Sequence, residues 1–266
     1  MNYGKVSGVT NLARPVHIVI PDTQVSPEFP YDHLGWIGQY IRDRYEGRDD
    51  VTVIHLGDHW DMPSLSSYDK GKRAMEGRRM YDDLKAGNDA FDLLNAPLDW
   101  DLRKVFLMGN HEERLVRATE ENAQLYGVIS LDDFNTQDWE WYPFLQPVCI
   151  DGVWYAHYFY NSMNGRPISG MIETRIKNIG HSFTQGHQQT LMYGVRPVLK
   201  GFHHGLVAGA CYMHDEVYKG PQGNDHWRGI IVCNEVHQGN YDPMFVSLDY
   251  LCRRYEGVTL GRFYKR

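Results

Sequence analysis

The feature that most constrains this chain is a pattern that occurs three times, in which a short Val/Ile-rich run ends in a tight polar loop. Val16 to Ile20 (VHIVI) leads into Pro21-Asp22-Thr23-Gln24, Val51 to Leu56 (VTVIHL) into Gly57-Asp58-His59-Trp60-Asp61, and Lys104 to Met108 (KVFLM) into Gly109-Asn110-His111-Glu112. Apolar runs this short, bounded by Gly, Pro and Asp, read as buried strands. Between the second and third runs, Asp69 to Asn95 places Met75, Met80, Leu84, Phe91 and Leu94 at spacings that suit one or two helices packed on one face. The order β, α, β predicts an α/β fold, whose loops at the carboxyl ends of adjacent strands converge on one crevice. Carboxylates crowded there repel one another, bound cations relieve the repulsion, and a mixture of Asp, Asn, Gln and His suits Mn, Fe, Zn or Mg.

After Asp138 the pattern shortens to PVCI, VWYAHYFY, SFTQ, LVAGACYM, RGIIVC and MFVSL, separated by Gly, Pro and Asn. A second sheet, largely antiparallel, is the expected home for these pieces, with residues from about 200 to 266 completing it and supplying substrate loops. No repeat or linker divides the chain, so residues 1–266 are expected to form a single domain. The 266 residues carry 27 Lys and Arg against 34 Asp and Glu, a formal charge of −7, which argues against a protein dedicated to coating polyanions. Four cysteines at no CxxC spacing favour a reducing compartment. The opening MNYGKVSGVT lacks the segments of a signal peptide, and no apolar run is long enough for a membrane helix. The chain reads as cytoplasmic, with no membrane partner.

Two later histidines could close the crevice, His157 in VWYAHYFY and His187 in Gly186-His187-Gln188-Gln189. Taken singly, either fits a hydrogen-bonded core position equally well, and the Asp22 loop fits an ordinary turn. Taken in order, the five segments resemble the calcineurin-like metallophosphoesterases, whose motifs run DxH, GDxxD, GNH(E/D), a strand His and GHxH. The resemblance spans residues 22 to 189. It implies a four-layer α/β/β/α sandwich with two mixed sheets and two divalent metal ions. Transferred residue by residue, it implies Asp22, Gln24, Asp58 and Gln189 on one ion, and Asp58, Asn110, His157 and His187 on the other, with Asp58 bridging. His111 corresponds to the family residue beside the metals that binds the phosphate or protonates the leaving oxygen, and Asn110 also faces substrate. Asp61 and Glu112 resemble carboxylates that orient ligands. The implied activity is hydrolysis of a phosphomonoester, phosphodiester or nucleotide pyrophosphate by metal-activated water.

The sequence departs from the family at Gln24 and Gln189, where the motifs carry His. Both changes fall on the same ion, which would then have only oxygen ligands, so Mn is preferred, with Mg, Ni, Fe or Zn as alternatives. The DxQ form resembles that of manganese-dependent enzymes that cleave ADP-ribose and CDP-alcohols. His203, His204 and His214 are alternative ligands for that ion.

For substrate contacts, Asp69 to Arg79 carries Lys70, Lys72, Arg73, Arg78 and Arg79 against Asp69 and Glu76, a local net of +3 that suits a phosphate-gathering patch or a solvated helix face. Arg166, in the Gly-rich loop after His157, joins Lys70, Lys72 and Arg73 as a candidate, and Arg114 and Arg117 are further ones. Trp139, Trp141, Tyr142 and Phe144 suit core packing or a wall for stacking bases. The substrate is expected to be a phosphorylated small molecule or a nucleotide. A nuclease of the same fold is the second reading, kept open by a likeness of GDHWDMPSLSSYDKGK to phage-encoded members of the family, for which the location would be the host cytoplasm. A noncatalytic metal-binding module is the third.

Overall fold

The computed structural model describes residues 14–136, 138–215 and 224–264. The amino-terminal stretch read above lies outside them. The chain runs β1 (Val16–Ile20), α1 (His33–Tyr45), β2 (Val51–His55), α2 (Met80–Asn95), β3 (Arg103–Leu107), α3 (Glu113–Glu121), β4 (Glu140–Tyr142), β5 (Val148–Ile150) and β6 (Val153–Ala156). It continues α4 (Ile172–Ile179), β7 (Phe183–Gln185), β8 (Leu191–Val198), β9 (Gly201–Ala208), β10 (Gly229–His237), β11 (Asn240–Ser247), α5 (Leu248–Glu256) and α6 (Leu260–Phe263).

Two mixed sheets result, one ordered β11-β10-β1-β2-β3-β4 and the other β5-β6-β7-β9-β8. In the first, β1 to β4 are parallel and β10 runs antiparallel to β1. In the second, β6, β7 and β9 are parallel and the two edge strands are antiparallel, so this sheet is more parallel than the sequence pattern suggested.

Side chains alternate between faces along each strand, and in the first sheet both faces are apolar, as strands buried on both sides require. Ile18, Ile20, Val53 and Phe106 pack outward with Leu34, Ile37, Phe91, Leu94 and Leu251 of α1, α2 and α5. Val19, Ile54, Val105 and Leu107 pack inward against Val153, Tyr155, Leu206 and Ala208 of the second sheet. On the far side of that sheet Ile172 and Ile176 of α4 cover Phe183 and Val207. Helices, sheet, sheet and helix make the four layers that the motif resemblance implies. No helix among the described residues is long and apolar enough to cross a membrane.

Three expectations are corrected. RGIIVC and MFVSL do not complete the second sheet: β10 and β11 extend the first, and α5 packs on its outer face. An apolar strand pattern marks burial without naming the sheet, and the pairing of β10 with β1 settles it (His17 opposite Cys233). Residues 69–79 form turns and a single 3₁₀ turn at Arg73–Met75 rather than a helix, because Gly71 and Gly77 both take left-handed backbone angles. In LVAGACYM the strand stops at Ala208, and the chain then follows the first sheet's loops, with the Cys211 N–H donating to the Asp22 carbonyl.

A polar contact in the interior links the two sheets: buried His17 of β1 meets the Tyr155 hydroxyl of β6 through Nδ1 at 2.7 Å and Asp151 through Nε2 at 2.9 Å. Removing one partner of a buried hydrogen bond leaves the other desolvated and unpaired. Tyr155→Phe is therefore expected to destabilise the protein by about 1–3 kcal/mol. Urea unfolding measures this, and an unchanged midpoint would mean that the contact does not help to hold the two sheets together.

Candidate metal centre

The loops after β1, β2 and β3 meet the segments after β6 and β7 at one end of both sheets, and the first two loops are bonded to each other through the backbone. The N–H groups of Thr23 and Gln24 donate to the Asp58 carbonyl at 3.2 and 2.8 Å, and the Val25 N–H to the His59 carbonyl at 2.7 Å. The third loop joins through Glu112, whose fully buried carboxylate accepts from the N–H groups of Asp58, His59, Trp60 and Gly109 at 2.6–3.1 Å. Close approach excludes side chains at two glycines. A Cβ on Gly109 would lie 2.1 Å from Asp58 Oδ1, and one on Gly186 would lie 2.4 Å from Asp22 Oδ1.

Gln24, Asp58, Met62, His187 and Gln189 all hold left-handed backbone angles, with φ between 37 and 67°. Each such residue costs about 1–3 kcal/mol, and clusters of them mark functional sites.

Asp58 is at the centre. One of its oxygens accepts from the His111 N–H at 2.9 Å, and the other lies 3.3 Å from His157 Nε2 and 3.7 Å from His111 Nε2. The His157 Nδ1–H donates to the Leu56 carbonyl at 2.7 Å, which turns Nε2 toward the site, where Asn110 Oδ1 stands 3.0 Å away. The His187 N–H donates to Asp22 Oδ1 at 2.9 Å. Ligand atoms of Asp58, His157 and His187 all lie within 4.8 Å of one another, so these three residues could hold a metal ion. Asp22 Oδ2 and Gln24 Oε1 are buried without a hydrogen-bond partner among the described residues, as are eleven other side-chain atoms, Trp141 Nε1 and Tyr241 Oη among them. Buried oxygens of this kind are satisfied only by a donor or a cation.

The electrostatics agree. Burial, aided by the charge of Asp58, pushes Asp22 up to about 6 and Glu112 up to about 7. Burial alone would raise Asp58 as well, but His111 and His157 hold it well below the usual carboxylate range. His157 is driven down by burial and up by Asp58, and the carboxylate wins, at about 9. His187 falls to about 4 through burial and the charge of His157. Without metal, the proton on His157 is the counter-charge of Asp58.

The structure therefore brings Asp22, Gln24, Asp58, Asn110, His157 and His187 together. Gln189 is close too, but its Oε1 already accepts from the Tyr212 hydroxyl at 2.8 Å. Of the alternative histidines, His214 stacks on Tyr212 and lines a small pocket with Gln24. His204 is held instead between Tyr193 and Tyr241, and His203 lies beside His181. Asp61 fixes His111, accepting from Nδ1 at 2.7 Å. Arg114 donates from Nη1 to the Asp61 carbonyl at 2.7 Å, while its Nη2 lies 3.1 Å from His111 Nε2.

A cavity of about 490 Å³ opens beside this cluster. Asn110, His187, Arg114, Arg117, Lys70, Phe144 and Tyr158 line it, whereas Lys72, Arg73 and Arg166 do not. Lys72 lies 3.8 Å from Asp69 instead, and Arg166 is at the surface. His111 is not a lining residue either, since Arg114 stands at its Nε2. Trp139 and Trp141 belong to the core around Phe106, not to a base-stacking wall. The sequence reading missed Tyr158, which only its place next to His157 signals. It also missed Thr23, whose hydroxyl joins the buried rings of His55 and His59 at 3.2 and 2.7 Å.

No protein-family model matches the chain, and no curated protein matches it in sequence. Among solved structures, Vps29 from Chaetomium thermophilum is similar at 10% identity and a TM-score of 0.36, over 87% of this chain and 97% of that one.

The raised His157 sets a pH dependence for the metal-free protein. A histidine raised from 6.5 to about 9 on folding contributes stability that is complete below 6.5 and is lost as the pH rises through 9. Metal-free protein should therefore unfold at lower urea concentration as the pH rises across that window, and His157→Asn should flatten the slope. A wild-type slope that is flat or of opposite sign would contradict the pairing of His157 with Asp58.

Proposed function

We propose that the chain is a metal-dependent phosphoric ester hydrolase acting on a phosphorylated small molecule or nucleotide through two divalent ions. The observation that carries this reading is the cluster of Asp58, His157 and His187, whose ligand atoms all lie within 4.8 Å of one another, with the Asp22 carboxylate tied to the His187 N–H. Carboxylate and imidazole groups so placed suit a divalent cation. Asp22, Gln24 and Asp58, with Gln189, would hold one ion, and Asp58, Asn110, His157 and His187 the other. The first set has only oxygen donors and favours Mn or Mg, whereas the second has two imidazoles and accepts Mn, Fe, Ni or Zn. Ions held there would supply Lewis acidity and a water of lowered pKa.

The chain's own groups do the rest. Leu56 and Asp61 fix the rings of His157 and His111 through their Nδ1 atoms, so each Nε2 is aimed before substrate arrives. Arg114 stands at the His111 Nε2, and once that guanidinium turns to substrate, His111, flanked by Asp58 and Asp61, would hold a proton for the leaving oxygen. Arg114 offers guanidinium N–H groups to phosphoryl oxygens. Cations held there would relieve the mutual repulsion of Asp22 and Asp58, and His157 would bind as the neutral imidazole.

Two substitutions separate holding metal from using it. Asp58→Asn is expected to remove nearly all hydrolysis of nucleotide and nitrophenyl phosphate esters, with metal content falling in parallel. His111→Ala is expected to keep its metal while losing about 10² to 10⁴ in rate, the range of positioned acid catalysis. Turnover is measured with added Mn, and metal by elemental analysis of the folded proteins. Undiminished turnover by Asp58→Asn, or a wild type that binds no divalent ion, would contradict the proposal. A wild type that binds metal but hydrolyses no ester in a panel including single-stranded DNA would leave only a binding module.

A further inference from the structure

One face of α3 runs along the cavity, and its residues at i, i+3, i+4 and i+7, namely Arg114, Arg117, Ala118 and Glu121, all line it. The helix starts directly after the Gly109–Glu112 loop, so the distance from the metal cluster increases along this row. Arg114 comes first, anchored by the Asp61 carbonyl and touching His111. Arg117 comes next, about 4.5 Å further along the helix axis at 1.5 Å per residue. Its Nη2 reaches back to the Asn110 carbonyl at 3.4 Å, and its charge acts on Tyr158 across the cavity. Among the described residues no carboxylate lies within 4.0 Å of the Arg117 guanidinium, whereas Lys70, on the exposed loop facing the far end of this row, meets Glu121 at 4.0 Å. Arg117 is thus a cation facing a cavity and a metal cluster, with donors to spare.

Resting on the hydrolase reading, we propose that Arg114 and Arg117 form a two-anion track, in which Arg114 holds the scissile phosphoryl group and Arg117 a second anionic group of the same substrate. The enzyme then selects esters that carry a second phosphate or carboxylate close to the reacting one. The cavity volume of about 490 Å³ leaves room for the organic part, with Phe144 and Tyr158 as its aromatic wall. Planar guanidinium groups bind phosphate oxygens in pairs, and two of them one helical turn apart distinguish a substrate with two anions from one with a single anion.

The test uses the metal-loaded protein and two probes of binding, inorganic phosphate and inorganic pyrophosphate, measured by calorimetry on the wild type, Arg117→Ala and Arg117→Lys. The wild type is expected to bind pyrophosphate more tightly than phosphate. In Arg117→Ala that preference should fall roughly ten- to hundredfold, the effect of losing a hydrogen bond to a charged group, and Arg117→Lys should retain part of it. Turnover adds a second readout through nitrophenyl esters of a nucleoside monophosphate with and without a second phosphate on the sugar. The ratio of their kcat/KM values should shift with Arg117→Ala, mainly through KM. Arg117 is exposed, so its variants should fold, and circular dichroism checks this. Equal affinity for the two ions in the wild type, or an unchanged ratio in Arg117→Ala, overturns the track. Hydrolysis of neither ester, together with an Arg117-dependent preference for pyrophosphate, overturns the hydrolase reading and leaves the track standing.

Discussion

Four backbone N–H groups from two loops converge on the carboxylate of Glu112, and the site cannot be assembled without that contact. The donors at Asp58, His59 and Trp60 belong to the turn after β2, the donor at Gly109 to the turn after β3. Each would be orphaned in the interior without an acceptor, and a single side chain serves all of them. In doing so Glu112 locks the left-handed turn at Asp58, which aims one carboxylate oxygen at the His111 N–H and the other at His157. Glycine at position 109 lets the third loop approach this closely. Assembly of the candidate centre is thus coupled to folding through a buried carboxyl group whose partners here are backbone N–H groups.

The centre also shows why the sheet is built as it is. Its strands are apolar on both faces, so polar groups are confined to their ends, and the parallel order of β1, β2 and β3 places three such ends side by side. Two buried carboxylates there, Asp22 and Asp58, are compensated in the metal-free state by a single proton on His157 and the neighbouring His111. Asp22 Oδ2 and Gln24 Oε1 remain without partners.

The three strands and their polar loops were legible in the sequence because short apolar runs broken by Gly-Asp and Gly-Asn leave few other foldings. Motif likeness singled out Asp61 and Glu112, and here they contact His111 and the loop backbone. What was not legible depended on contacts between segments far apart in sequence. Strand composition does not say which sheet β10 joins. A count of charges does not reveal that Lys72 is drawn to Asp69 while Arg117, a weaker candidate, faces the cavity. Nor does spacing predict that Tyr212 engages the amide of Gln189, which separates the two glutamines: Gln24 has a free oxygen to offer and Gln189 has one already in use.

On the proposal above, Asp58 would bridge two ions, which lie about 3.5–4 Å apart in two-metal hydrolases. Electron paramagnetic resonance of the protein loaded with two equivalents of Mn tests it directly, because ions sharing a carboxylate bridge are magnetically coupled. The account predicts the spectrum of a coupled pair. A spectrum of isolated Mn ions, at full occupancy of both equivalents, would contradict it.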